Sequence, residues 1–237
     1  MSNFNMEPIT CPNCKTEQKI KVWESVDIAK SPKEKAKIIS GEFFQFKCKK
    51  CDFSAPLAYN CLYSDIENKM LIWLIPELTD EVKDKLTTAE TLKGDNEHPT
   101  NDYIYRIVTT PNELKEKIMI NDAGLDDRVV ELLKMVYMSQ LTTLTGDKTI
   151  AEEAITEMYL DIQDEDKYSF VIFFEKREPL MIPVNYDVYI KLYADFIEMI
   201  EQEHEEKFVE IDFEWAKKMF FKKNEKNCWQ LNKDLVS

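Results

Sequence analysis

Two short cysteine pairs constrain this chain more than any other feature. Cys11-Pro12-Asn13-Cys14 and Cys48-Lys49-Lys50-Cys51 are both Cys-x-x-Cys units, and 33 residues lie between Cys14 and Cys48. A Cys-x-x-Cys turn aims two sulfurs at one point, so two such turns can present four thiolates to a single ion. Zn²⁺ has a filled d shell and accepts a tetrahedron of sulfurs at about 2.3 Å. The expected ligands are therefore Cys11, Cys14, Cys48 and Cys51, holding one zinc per chain. Four protein sulfurs leave no open position for water or substrate, so the expected role is structural. Four thiolates on a dication leave an excess of two negative charges, which nearby donors must offset. Lys15, Lys19, Lys47, Lys49 and Lys50 stand beside the pairs and suit that purpose. A dithiol redox centre is the competing reading. Such centres sit at a helix N-terminus, and neither pair precedes a helical pattern.

Charge divides the chain in the same place. Residues 1–52 hold 10 lysines against 7 acids, while the remainder holds 21 basic and 38 acidic residues, giving a net of -14. A body that acidic repels phosphate backbones, which argues against a nucleic-acid partner. Only 3 of the basic residues, Arg106, Arg128 and Arg177, are arginine, so the forks that read bases and phosphates are scarce. The chain has only 4 glycines and 2 histidines, and no Gly-x-Gly-x-x-Gly or phosphate-loop pattern. His98 and His204 have no partner in a recognisable motif, and no catalytic or cofactor-binding residue is assigned. Cys61, in an apolar run, and Cys228, beside Trp229, read as small buried hydrophobes.

The longest unbroken apolar run, Met70 to Ile75, is far shorter than the ~20 residues of a membrane span. The start of the chain has no basic segment leading into an apolar one, as a secretory signal would. The expectation is a cytoplasmic protein, in a compartment where thiols stay reduced or bind metal.

Periodicity predicts an α+β fold: an N-terminal zinc-ribbon-like β unit followed by a portion of mixed strands and helices. Lys19 to Val26 alternates as a strand. Ser31-Pro32 opens a short helix that stops at Ser40-Gly41. Phe43 to Lys47 resumes as strand, and Leu57 to Tyr63 pairs with Met70 to Ile75 as a hairpin. A charged helix follows from Thr79-Asp80 to about Leu92. Residues 93–102 hold no apolar side chain and are the expected linker, which separates a first domain over 1–92 from a second over 103–237, unless the two pack as one.

Beyond it, Tyr103 to Thr109 reads as strand. Thr110-Pro111-Asn112-Glu113 has the form of a capping box with proline in the first turn. Asp126 opens a helix to about Leu141, and strands over Met158–Gln163 and Tyr168–Glu175 flank Asp164-Glu165-Asp166. Asn185 caps a further helix. Phe208 to Ile211 reads as a short strand, and Asp212 caps a last helix.

These residues resemble the CpXC-domain proteins of bacteria and archaea. The similarity runs through Cys11–Cys14, the aromatic stretch from Gly41 to Cys48–Cys51, and Leu62-Tyr63-Ser64-Asp65 with the following Leu71 to Pro76. It continues through Asn112 to Ile118 and Gly124-Leu125-Asp126-Asp127-Arg128 to Lys134, about residues 8–140 in all. The resemblance implies the same four cysteine ligands. It implies no activity, because the family is defined by sequence. The chain departs from the family where Lys15 and Asp52 replace the glycine that follows each second cysteine, and where the second pair lacks proline.

Three functions follow as expectations. The first is a non-enzymatic zinc protein that binds an as yet unknown protein partner, with Gly124 to Lys134 either a contact site or packing. The second is an enzyme, such as a carboxylate-based hydrolase sited between the two parts. The third is nucleic-acid binding through the lysine-rich ribbon.

Overall fold

The computed structural model describes residues 2–87, 103–164, 167–202, 207–223 and 229–231. The fold is α+β, with strands leading at the N-terminus. It divides into two compact units. One comprises Met1–Ile118 with Glu205–Val209, the other Met119–His204 with Glu210–Ser237. The division falls inside a helix, while the polar stretch 93–102 lies outside the described residues.

The first unit is built on a mixed sheet of β1 (Asn3–Thr10), β2 (Glu17–Asp27), β5 (Cys61–Asp65), β6 (Met70–Leu74) and β7 (Ile104–Val108), in the order β1-β2-β5-β6-β7. The β1/β2 and β5/β6 pairs are antiparallel; β2/β5 and β6/β7 are parallel. Parallel neighbours need crossover connections. The first crossover carries α1 (Pro32–Ser40) and the hairpin of β3 (Gln45–Lys47) and β4 (Ser54–Pro56); the second carries α2 (Asp80–Thr87).

Both faces of the central strands are covered. Cys61, Tyr63, Ile72 and Leu74 pack with Ile38 and Phe44 in one cluster, while Leu71, Ile107 and Phe208 form another. Burial explains why the 57–75 segment read so clearly as two apolar runs. Its turn is held by Asp65, which accepts from the Asn68 amide, the Asn68 side chain, the Tyr63 hydroxyl and Lys35. Burial raises the Asp65 pKa, but the Asn68 and Lys35 contacts outweigh it and hold the carboxyl below its usual range.

Local signals place the helix ends as expected. Pro32 opens α1 and Gly41, at φ +80, closes it. In α3 (Pro111–Asp122) Glu113 N–H donates to Thr110 Oγ1 at 3.1 Å, and Thr110 N–H returns a bond to the Glu113 carboxylate at 3.2 Å. This is the capping box.

The second unit packs a three-stranded antiparallel sheet, β8 (Ile155–Asp164), β9 (Lys167–Phe174) and β10 (Leu180–Pro183), with helices α4 (Asp127–Ser139), α6 (Tyr186–Gln202) and α7 (Phe213–Phe220). Phe170, Ile172 and Leu160 from the sheet meet Val129, Leu133, Phe196 and Ala216 from the helices in one continuous core. Asn185 and Asp212 cap α6 and α7 through bonds from Asp187 N–H and Trp215 N–H. Among the described residues, no helix is long and apolar enough to cross a membrane.

Several elements differ from the sequence reading. The helix expected over 126–141 breaks at Gln140, and a short helix α5 (Leu141–Thr145) follows. The strand expected over 43–47 covers only Gln45–Lys47. Phe43 and Phe44 turn instead into an aromatic run with Trp23 and Tyr59. Phe208 to Ile211 contributes a single bridge, Val209 to Arg106. β1 and β10 are strands that the sequence reading does not predict. The turn residues Glu165 and Asp166, the end of the helix expected to Leu92, His98, His204 and Cys228 lie outside the described residues.

Cys11 N–H donates to Thr16 at 2.9 Å, and the β1/β2 register keeps that alternation from Asn5 upward. Odd-numbered residues therefore bond to β2, and even-numbered ones turn their backbone outward. Pro8 falls on the outward side, where its missing N–H costs the ladder nothing.

Candidate metal centre

Each cysteine pair forms the tip of a β-hairpin. At the first tip Cys11 N–H donates to Thr16 O at 2.9 Å, continuing the β1/β2 ladder. At the second Cys48 N–H donates to Phe53 O at 2.8 Å, continuing β3/β4. Cys11 and Cys48 thus occupy equivalent places, as do Cys14 and Cys51. The repetition reaches the next residue as well: Lys15 and Asp52 both have left-handed backbones, at φ 58 and 53. These are the two positions where the resemblance noted above leads one to expect glycine. A Cβ there costs roughly 1 kcal/mol, and less for Asp than for Lys.

The tips bring the four sulfurs together. Cys11 Sγ lies 3.7 Å from Cys51 Sγ, and Cys14 Sγ lies 3.6 Å from Cys48 Sγ. All four sulfurs fall within 4.8 Å of one another. A tetrahedron of sulfurs drawn 2.3 Å from a central ion has edges of about 3.8 Å. The donor set and its spacing therefore fit one tetrahedral metal ion. Cys11 and Cys48 are buried and Cys14 and Cys51 half-buried, against Phe46, Ile9, Ile20, Phe53 and Leu57.

Polar groups orient the sulfurs. Lys50 N–H points to Cys48 Sγ at 3.4 Å, and Asn13 Nδ2 to Cys51 Sγ at 3.5 Å. Such N–H donors withdraw charge from thiolates. Hydrogen bonding to the Thr16 side chain and backbone lowers the Cys14 pKa to about 6. Lys15, Lys19, Lys47, Lys49 and Lys50 are all exposed. Gln18 ties one hairpin to the other: its Nε2 donates to Lys47 O at 2.9 Å, and its Oε1 accepts from Lys49 N–H at 3.0 Å. No sequence motif singles out Gln18, because its partners lie about 30 residues away.

The remaining residues of interest lie elsewhere. Cys61 is fully buried in β5, and burial pushes its thiol up to about 12, so it packs as a small hydrophobe. The Gly124 to Lys134 stretch organises the second unit. Gly124, at φ +68, ends α3. Asp126 caps α4 by accepting from Arg128 N–H at 2.9 Å. The Arg128 guanidinium grips the Asp126 carboxylate through Nε and Nη2, at 3.0 and 2.6 Å, and its Nη1 reaches Ile200 O in α6 at 2.9 Å. Arg128 is therefore engaged in fixing the start of α4 against α6.

A family model described as CpXC protein matches residues 9–134, more than half of the chain. The matched span holds all four cysteines and ends within α4. No curated protein and no solved structure gives a significant match.

Proposed function

The chain belongs to the CpXC family, and on that premise we propose that Cys11, Cys14, Cys48 and Cys51 hold one structural zinc ion in a non-enzymatic protein-interaction module. The observation that carries the metal is the sulfur geometry: two equivalent hairpin tips deliver four thiols to the space of one tetrahedral ion. When bound, zinc would cross-link the two tips and offer no free coordination position. The chain's own residues do the rest. Lys50 N–H and Asn13 stabilise the sulfurs, Gln18 clamps the tips together, and the surrounding lysines offset the excess thiolate charge.

Zinc suits a site of sulfurs alone with no redox task, and the reducing cytoplasm suits free thiols awaiting it. The acidity of the chain, a net -14 over its whole length, supports a basic protein partner rather than a nucleic acid. Elemental analysis of the purified chain tests the metal directly, and the expected result is one zinc per chain. Replacement by cobalt should give the visible absorption of a tetrahedral four-sulfur site. A metal-free protein with four titratable thiols at these positions, and thermal unfolding unchanged by chelation, would overturn the proposal.

A further inference from the structure

The apolar surface of helix α6 is wider than its contact with the core. Tyr189, Leu192, Phe196 and Ile200 enter the core of the second unit. Tyr186, Ile190 and Tyr193 recur at helical spacing on another face and remain 45%, 48% and 40% exposed. A helix that packs on one side ordinarily presents charge on the other. Here the side away from the core does carry charge, in Asp187, Lys191, Asp195 and Glu198, and the exposed apolar stripe, which continues to the half-buried Ile197, lies beside the core face.

The rings on this face are held in order. Tyr168 and Tyr186 stack at 5.7 Å with their planes 21° apart, Tyr186 and Tyr189 at 5.5 Å and 13°, and Tyr189 and Tyr193 follow at 6.4 Å and 30°. The Tyr189 hydroxyl accepts from Asp126 N–H at 2.8 Å, which pins the middle of the ladder. Ordered tyrosines bind partners at low cost in conformational entropy.

Charge selects the partner. Of the charged side chains on the helix, exposed Asp187 and Glu198 lie nearer the stripe, while Lys191 and Asp195 lie farther round the helix. The second unit as a whole has 24 acids against 13 basic residues in its sequence. A second copy of the chain would bring the same acids to the contact, together with its own net charge of -14. A basic helix would meet the acids with lysine or arginine, lay cations over tyrosine faces, and fill the stripe with apolar side chains. Tyr186 to Ile197 spans about 17 Å of helix, enough for anchors at three successive turns of a partner helix.

We propose that the exposed apolar stripe of α6, formed by Tyr186, Ile190 and Tyr193, docks a basic amphipathic helix of a protein partner. The inference rests on the interaction-module reading above and names the chemistry of that partner.

The test uses the intact chain and a fluorescent synthetic peptide of leucines at helical spacing among lysines, with a scrambled peptide of identical composition as control. By fluorescence anisotropy, the amphipathic peptide should bind at least about tenfold more tightly than the scrambled one. Tyr186→Ser with Tyr193→Ser, and separately Ile190→Ser, should abolish that preference while leaving the melting temperature unchanged.

Equal binding of the two peptides would reduce the effect to bulk charge and overturn the proposal. So would a preference that survives both sets of substitutions. A dimer in sedimentation velocity that dissociates on Ile190→Ser would also overturn it, by making a second copy the occupant. Zinc is measured on the same samples. A zinc-loaded chain without the preference defeats this inference alone, whereas a zinc-free chain defeats the metal reading and leaves the peptide result standing.

Discussion

In the first unit, buried apolar side chains are split between the faces of a five-stranded sheet, with a small separate cluster around the sulfurs. There only Cys11, Phe46 and Cys48 are fully buried. In the second unit, α4, α6 and α7 pool their apolar faces with the sheet of β8 to β10 in one core. The contrast shows two ways of holding a small structure together. Hairpin tips too short to bury a core of their own need a cross-link, which a metal ion held by the four cysteines would supply. A sheet covered by helices does not need it.

Cys48→Ser should break that contrast most forcefully. A structural zinc contributes on the order of 10 kcal/mol to the folding of what it holds. Hydrogen exchange should show lost protection in β3, β4 and the tip joining β1 to β2. Amides of α4 and β9 should remain protected; uniform loss in both units would show that the ion supports the whole chain and erase the distinction.

Leu133→Ala probes the other side of the comparison. Leu133 is 1% exposed in the core of the second unit. Truncation should cost about 3 kcal/mol, read as a lower melting temperature. On the proposed zinc assignment, zinc content should match that of the unsubstituted chain, and parallel loss of zinc would tie the two units together.

The smallest expected effect runs in the opposite direction. Lys15→Gly removes a Cβ from a left-handed position and should stabilise the first knuckle by up to about 1 kcal/mol. Asp52→Gly should give less, because aspartate tolerates that backbone. A competing chelator should then extract zinc more slowly from the Lys15→Gly chain. Faster extraction would mean that the lysine charge matters more than its backbone strain.

Much of this was legible in the sequence because it is local. The two cysteine pairs, the capping box of Thr110 and Glu113, the caps at Asn185 and Asp212, and the hairpin of β5 and β6 are all written within a few residues. The unread features depend on distant partners. β1 alternates polar and apolar residues only over Asn3 to Glu7 before Pro8 interrupts it, and it is exposed along nearly its whole length, so it rests on pairing with β2 rather than on a buried face. The parallel pairing of β2 with β5 leaves no local trace. The same holds for Arg128. Its pairing with Asp126 lies within two residues, but its bond to Ile200 joins positions 72 apart.

Pro8 has a consequence for how this protein behaves in company. β1 is the outermost strand of its sheet, and an open edge invites another chain to add a strand, which is how ordered aggregates grow. With Pro8 on the open side, an incoming strand finds a carbonyl and a ring where it needs an N–H. The edge can therefore remain uncovered at high concentration without becoming a template for fibrils.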